Sequence, residues 1–247
     1  MKRSNWLISL GLSFLLLSLV TYYIHFLIFK DSLFIFRYFV AQLGFLPIST
    51  FLVTIILNQL MGKRDKNIRM QKLNMVIGAF FSDVGTDLLR VFAAFDLQSD
   101  QFGLDLKMNS SWSKSDFERA KSKLKEIKLD VKTDPALLED LNSFLNQKRN
   151  NLLGLLANPN LLEHESFSQL LRAIFHLTEE LSSRADLAKL PNSDYTHLQI
   201  DIKRAYELLI TQWLNYMDHL NRSYPYLFSL AIRTNPFNPD ACIEIIE

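Results

Sequence analysis

Two long apolar runs, Trp6–Phe29 and Tyr38–Met61, contain no Asp, Glu, Lys or Arg. Each exceeds the ~20 residues that an α-helix needs to cross the hydrocarbon core of a bilayer. Only Lys30, Asp31 and Arg37 interrupt the pair, so it reads as a membrane hairpin with almost nothing on its far side. Whole-chain averages hide this, because the net charge of +1 and mean hydropathy of +0.06 resemble those of a soluble protein. The domains expected are therefore a transmembrane hairpin over 1–62 (spans 6–29 and 38–61) and a cytoplasmic helical domain over 63–247. The second part, roughly 185 residues, is long enough for its own core.

Orientation follows from charge. Lys2 and Arg3 precede the first span, and Lys63, Arg64, Lys66, Arg69 and Lys72 follow the second. The positive-inside bias then puts both termini in the cytoplasm and the hairpin in the cytoplasmic membrane. The five basic residues are expected at the membrane surface, facing lipid headgroups. A cleaved signal peptide is disfavoured, because the apolar run continues through Tyr22, Tyr23 and Phe26 without a small-residue cleavage site. The single cysteine, Cys242, permits no internal disulfide, which agrees with a cytosolic domain. Outside the basic cluster the chain is mildly acidic, which argues against nucleic acid as a partner. The partners expected are the lipid bilayer and a protein partner or a second copy of the chain.

Beyond Gly62 the periodicity is helical. Leu73, Val76, Ile77, Phe80, Val84, Leu88, Val91 and Phe95 recur at steps of three and four, predicting a helix over 68–95 that continues span two. Residues 97–113 read as a loop. Ser115–Glu118 has capping-box spacing and opens a charged helix carrying Phe117, Ala120, Leu124 and Ile127 on one side. Asp134–Pro135 starts the next, with aspartate as cap and proline in the first turn. That helix stops before Pro159. Ser166–Gln169 repeats the capping-box spacing, Pro191 ends that segment, and a long helix follows over 194–221. Pro225 opens a short apolar helix that closes the end of the bundle, and Pro236 and Pro239 predict an extended tail. The fold class is all-α: a two-helix hairpin followed by a bundle of about five helices.

Four of the five histidines lie in the second part beside carboxylates: Glu163-His164-Glu165, His176 with Glu179 and Glu180, Asp194-x-x-His197 with Asp201, and Asp218-His219. Helical carboxylate–histidine spacing of this kind builds metal sites in bundles, and Asp83 and Asp87 could add further ligands. The metal candidates are thus His176, Glu179, Glu180, Asp194, His197, Asp201, Asp83 and Asp87. No Glu-x-x-His occurs, and His176 lies opposite the Phe167/Leu171/Ile174 stripe. The simpler expectation is that these side chains lie apart or pair only locally, and that no cofactor binds. Gly78, Ser82 and Gly85 form a small-residue track best explained by close helix packing. Thr50, Thr54 and Asn58 line one side of span two, which suits a channel only weakly because threonine satisfies its hydroxyl within its own helix.

The stretch from Tyr224 to Pro239 (YPYLFSLAIRTNPFNP), with NMVIGAFFSDVGTDLL over 74–89 and FHLTEEL over 175–181, resembles an uncharacterised family of prokaryotic two-span membrane proteins. The likeness covers most of the chain and implies the architecture alone, with no activity or site residues attached. Phosphate-binding glycine loops, G-x-S-x-G and H-E-x-x-H are missing from the sequence. The leading expectation is a non-enzymatic, membrane-anchored interaction or regulatory module. A helical-bundle metalloenzyme holding a transition-metal ion is the alternative, and a small oligomeric channel the third.

Overall fold

The computed structural model describes residues 2–126, 129–158, 161, 164–238 and 240–244, apart from the side chains at positions 2–5, 7, 63, 65, 67, 69 and 100–102. Expectations for Ile127, Pro159, Glu163 and Pro239, and for the side chains of Lys63 and Arg69, fall outside that description. Among the described residues the fold is all-α, and the only β pairing is an isolated antiparallel bridge between Asp96 and Val131. Nine α-helices are described: α1 Lys2–Phe29, α2 Ser32–Phe80, α3 Thr86–Ala93, α4 Ser99–Asp105, α5 Lys114–Glu126, α6 Pro135–Leu156, α7 Glu165–Ser182, α8 Asn192–Ser223 and α9 Pro225–Arg233. The chain divides into two compact units, Met1–Lys66 and Asn67–Glu247.

The first unit holds two segments long and apolar enough to span a membrane, Ile8–Phe29 and Ser32–Gly62, each with a mean hydropathy of 2.0. Neither buries any of its most apolar window. The core helix of a soluble protein buries such a surface, whereas these two helices leave it exposed. Lys30 turns the chain between them with a positive φ of 51°. The hydroxyl of Thr54 donates to the Thr50 carbonyl at 2.7 Å, so the polar stripe is satisfied within its own helix at that point.

The second unit is built around α8, which packs against α7, α5, α9 and α3. Its apolar positions surround it: Leu198, Ile202, Ala205, Tyr206, Leu209, Ile210, Leu214 and Met217 are all buried. A helix apolar on this many sides is a core helix rather than a surface one. The predicted helix over 68–95 is interrupted by a π-helical turn at Phe81–Gly85. That turn buries Phe81, Val84 and Gly85, and Thr86 Oγ1 donates to the Phe81 carbonyl at 2.8 Å. The extra residue in the turn changes which side chains face α8, as π-bulges do.

Other corrections are local. The predicted loop over 97–113 contains α4. At α5 the cap belongs to Ser113 and Asp116, since Asp116 Oδ2 accepts from the Ser113 N–H at 2.8 Å and from the Ser113 hydroxyl at 2.7 Å. At α7 the cap is His164, whose Nδ1 accepts from the Phe167 N–H at 3.3 Å, rather than Ser166. The tail after α9 folds back through turns: Phe237 is buried edge-on against Trp213, and Asn235 donates to the Leu106 carbonyl at 2.8 Å. Pro225 does open α9, and Phe228 on that helix reaches the core beside Phe117.

Candidate functional site

Helices α7 and α8 are joined by a short segment containing the 3₁₀ turn Leu187–Lys189 and run antiparallel. Each carries a pair of potential ligands four residues apart, so each pair occupies one face of its helix. On α7 these are His176 and Glu180; on α8 they are His197 and Asp201. The antiparallel course sets His176 opposite Asp201 and Glu180 opposite His197. Nε2 of His176 lies 3.3 Å from Asp201 Oδ2, and Nε2 of His197 lies 3.4 Å from the same oxygen. Glu180 stands slightly farther off, with Oε2 3.6 Å from His197 Nε2 and Oε1 3.9 Å from His176 Nε2. One ligand atom each from His176, His197 and Asp201 lies within 4.8 Å of the other two.

The four side chains differ sharply in exposure. The imidazoles are 47% and 50% exposed, whereas the Asp201 side chain is only 5% exposed. Asp201 Oδ1 faces the Arg204 guanidinium at 3.3 Å. Asp201 Oδ2 is buried and has no hydrogen-bond partner, because neither imidazole meets it in hydrogen-bonding geometry. Glu180 is fixed by Arg184, which donates to Oε2 at 2.8 Å and also to the Glu180 carbonyl. The same guanidinium grips Asp194 with two bonds of 2.7 Å. These hydrogen bonds from Arg184 hold Glu180 and Asp194 below the usual carboxylate range. Two carboxylates ionised at neutral pH therefore accompany the histidines on this seam.

The expectation that these groups lie apart is corrected for His176, Glu180, His197 and Asp201. It followed from His176 lying on the side of its helix opposite the Phe167/Leu171/Ile174 stripe, away from the core. Here the meeting point is the half-exposed seam between two neighbouring helices, which flank positions reach without entering the core. The other candidates are engaged elsewhere. Asp83 accepts from Lys148 at 2.8 Å and Asn151 at 2.6 Å, which holds its carboxyl below the ordinary range. Asp87 pairs with Arg90 at 2.6 Å, Asp194 belongs to Arg184, and Glu179 is exposed one residue around α7 from Glu180. Of the basic residues expected at a membrane surface, Arg64, Lys66 and Lys72 are exposed. The spacings His176–Glu180 and His197–Asp201 were visible in the sequence; the antiparallel register that joins them was not.

Beside the cluster runs a groove of about 900 Å³ between α5, α7 and α8, reaching His176 at its edge. Its rim carries Lys121, Lys125, Arg172 and Arg204 over an apolar floor that includes Ala173 and Leu208. Two imidazoles and two carboxylates converging beside such a groove can hold a divalent cation, the ligand types suiting a borderline-soft ion.

A family model described as the MJ1433 C-terminal helical domain matches residues 69–233, and one described as the MJ1433 N-terminal helical domain matches residues 2–61. The chain belongs to the MJ1433 family. It is 40% identical over 243 residues to the uncharacterized protein MJ1433 of Methanocaldococcus jannaschii, covering 98% of each chain. No solved structure matches it. The MJ1433 family thus joins an N-terminal and a C-terminal helical domain, and the His/carboxylate cluster lies wholly in the second.

Proposed function

We propose that this MJ1433-family chain is a membrane-tethered helical domain that works at the cytoplasmic face of the membrane, with the seam between α7 and α8 as its working site. The tether is supported by the two uncovered apolar segments of the first unit, and the cytoplasmic side by the basic flanks of those segments. Exposed Arg64, Lys66 and Lys72 suit anionic headgroups, at about 1 kcal/mol each and subject to screening by salt. The single observation that carries the choice of site is the convergence of His176, His197, Asp201 and Glu180 from two helices. It puts a metal-dependent role ahead of a purely protein-binding one. Alkaline washing of membranes from cells making the full-length chain tests the tether. The chain is expected to stay with the lipid pellet, and its release into the supernatant would remove the tether from this reading.

A further inference from the structure

The cluster differs from an ordinary surface ion-pair network in two ways. Asp201 Oδ2 is buried and accepts no hydrogen bond, although two ring nitrogens stand 3.3 and 3.4 Å from it. A proton shared between a ring and this oxygen would place an N–H in line with it, and neither imidazole is so placed. The distances themselves fit another occupant. Ligand atoms about 2.0–2.1 Å from a tetrahedral ion stand about 3.3–3.4 Å from each other, by the geometry of zinc sites. Both contacts to Asp201 Oδ2 have that length. Asp201 Oδ2 thus stands at one tetrahedral edge length from each ring nitrogen, and all three ligand atoms lie within 4.8 Å of one another.

We propose that His176 Nε2, His197 Nε2 and Asp201 Oδ2 ligate one divalent first-row transition ion of the zinc class. This rests on the seam being the working site and is independent of the membrane tether. Two imidazoles select such an ion over magnesium or calcium, which take oxygen ligands. Glu180 is the outer partner: its oxygens lie farther from the rings, at 3.6 and 3.9 Å, and Arg184 holds it by Oε2. Arg204 plays the matching part for Asp201, engaging Oδ1 and leaving Oδ2 to the ion. The half-exposed rings leave the fourth position open towards solvent and towards the groove that reaches His176. Three protein ligands with an open fourth position form the pattern of zinc sites that bind water or a substrate group, rather than that of closed structural sites.

The test uses the full chain in detergent, without a histidine tag, stripped by chelator and then titrated with Co²⁺. Expected are one Co²⁺ per chain, the intense visible absorption of four-coordinate cobalt, and its displacement by Zn²⁺ but not by millimolar Mg²⁺. His176→Gln and His197→Gln, both at half-exposed positions, should each weaken binding more than about 100-fold, beyond the 10–100-fold loss typical of outer partners. Glu180→Gln should fall within that smaller range, and His219→Gln should leave binding unchanged. Asp201→Asn should abolish the cobalt spectrum, and if this buried variant does not fold, the two histidine variants decide. A wild-type chain that takes up no cobalt, or a spectrum that survives both histidine substitutions, would overturn the assignment. Either result leaves the alkaline-wash behaviour untouched, so failure of the metal site and failure of the tether read out separately.

Discussion

Gly85 sits in the π turn with no room for a side chain: a Cβ there would come 2.6 Å from Phe81 Cδ1 and 2.7 Å from Phe80 Cε1. Both rings are buried and in edge contact with each other, 5.1 Å apart. Replacing glycine by alanine inside a helix ordinarily gains about 1 kcal/mol. Overpacking costs about 1–3 kcal/mol, and these rings have nowhere to retreat. Gly85→Ala should therefore lower the denaturation midpoint of the full chain in detergent, whereas an unchanged or raised midpoint would show that the rings yield freely. The Gly78/Ser82/Gly85 track marked the place, but Ser82 is exposed and the crowding at Gly85 comes from its own neighbours Phe80 and Phe81. A period of 3.6 contains no signal for an inserted π residue. At His219 the question is charge. Burial pushes this imidazole below its ordinary 6.5, and nearby Arg222 does the same, outweighing Asp218. Its Nδ1 lies 3.2 Å from Asn74 Nδ2, and the Tyr224 ring meets it edge-on. A histidine kept neutral by the fold contributes stability that is fully present above the unfolded value of 6.5 and is lost as pH falls through the lower folded value. His219→Gln should remove that loss, so the pH profiles of variant and wild type should diverge below about 6.5; parallel profiles would refute the assignment.

Arg184 shows how two elements are held in register. Its guanidinium bonds Asp194 at the start of α8 through two nitrogens and Glu180 on α7 through a third, with the arginine side chain only 15% exposed. These contacts raise its pKa further above an already high value, so it is cationic throughout the working range. Arg184→Ala would leave two ionised carboxylates facing each other across the seam and should lower the stability of the chain. Arg184→Lys should recover only part of that, because a single ammonium cannot reproduce the planar two-point grip on Asp194. Denaturant midpoints of the three chains test this ordering, and full rescue by lysine would mean that charge alone matters. The range of an interaction decides whether the sequence discloses it. Asp134 capping α6 was legible, because a cap acts on N–H groups two and three residues away: Asp134 Oδ1 accepts from Ala136 at 2.9 Å and Leu137 at 3.3 Å. The caps at α5 and α7 were misplaced by two residues, since Ser113 and His164 compete locally with Ser115 and Ser166 for the same turn. The residues of the site were legible in the sequence, but not their convergence. Each half sits on one helix, while its identity depends on how α7 slides against α8, which is set by packing among Leu170, Ile174, Leu177, Leu198 and Ile202 in the core.

At the scale of the whole chain, side of the membrane decides whether the His/carboxylate seam meets cytosolic metal and ligands at all. The first unit carries no Asp or Glu within its two apolar segments apart from the boundary, and the loop between them is as short as Lys30 and Asp31. On the proposed membrane tether, the basic residues on both outer flanks favour one orientation, both ends inward, because short loops rich in Lys and Arg resist translocation. The lone cysteine serves as a reporter, since Cys242 is free and exposed. In intact cells an impermeant thiol reagent should leave Cys242 unlabelled, and permeabilising the membrane should make it reactive. A chain carrying Cys242→Ser and Asp31→Cys should behave oppositely and label without permeabilisation, because the proposed topology puts position 31 in the external turn. A third chain, Cys242→Ser with Lys2→Cys, should again require permeabilisation. The three results are coupled: two segments that both cross the membrane require positions 2 and 242 to agree and position 31 to differ. Labelling of Cys242 in intact cells together with protection at position 31 would invert the topology and move the seam outside. Protection of all three positions would mean that the apolar pair enters the membrane without crossing it, leaving the domain on the cytoplasmic side but the hairpin reading wrong.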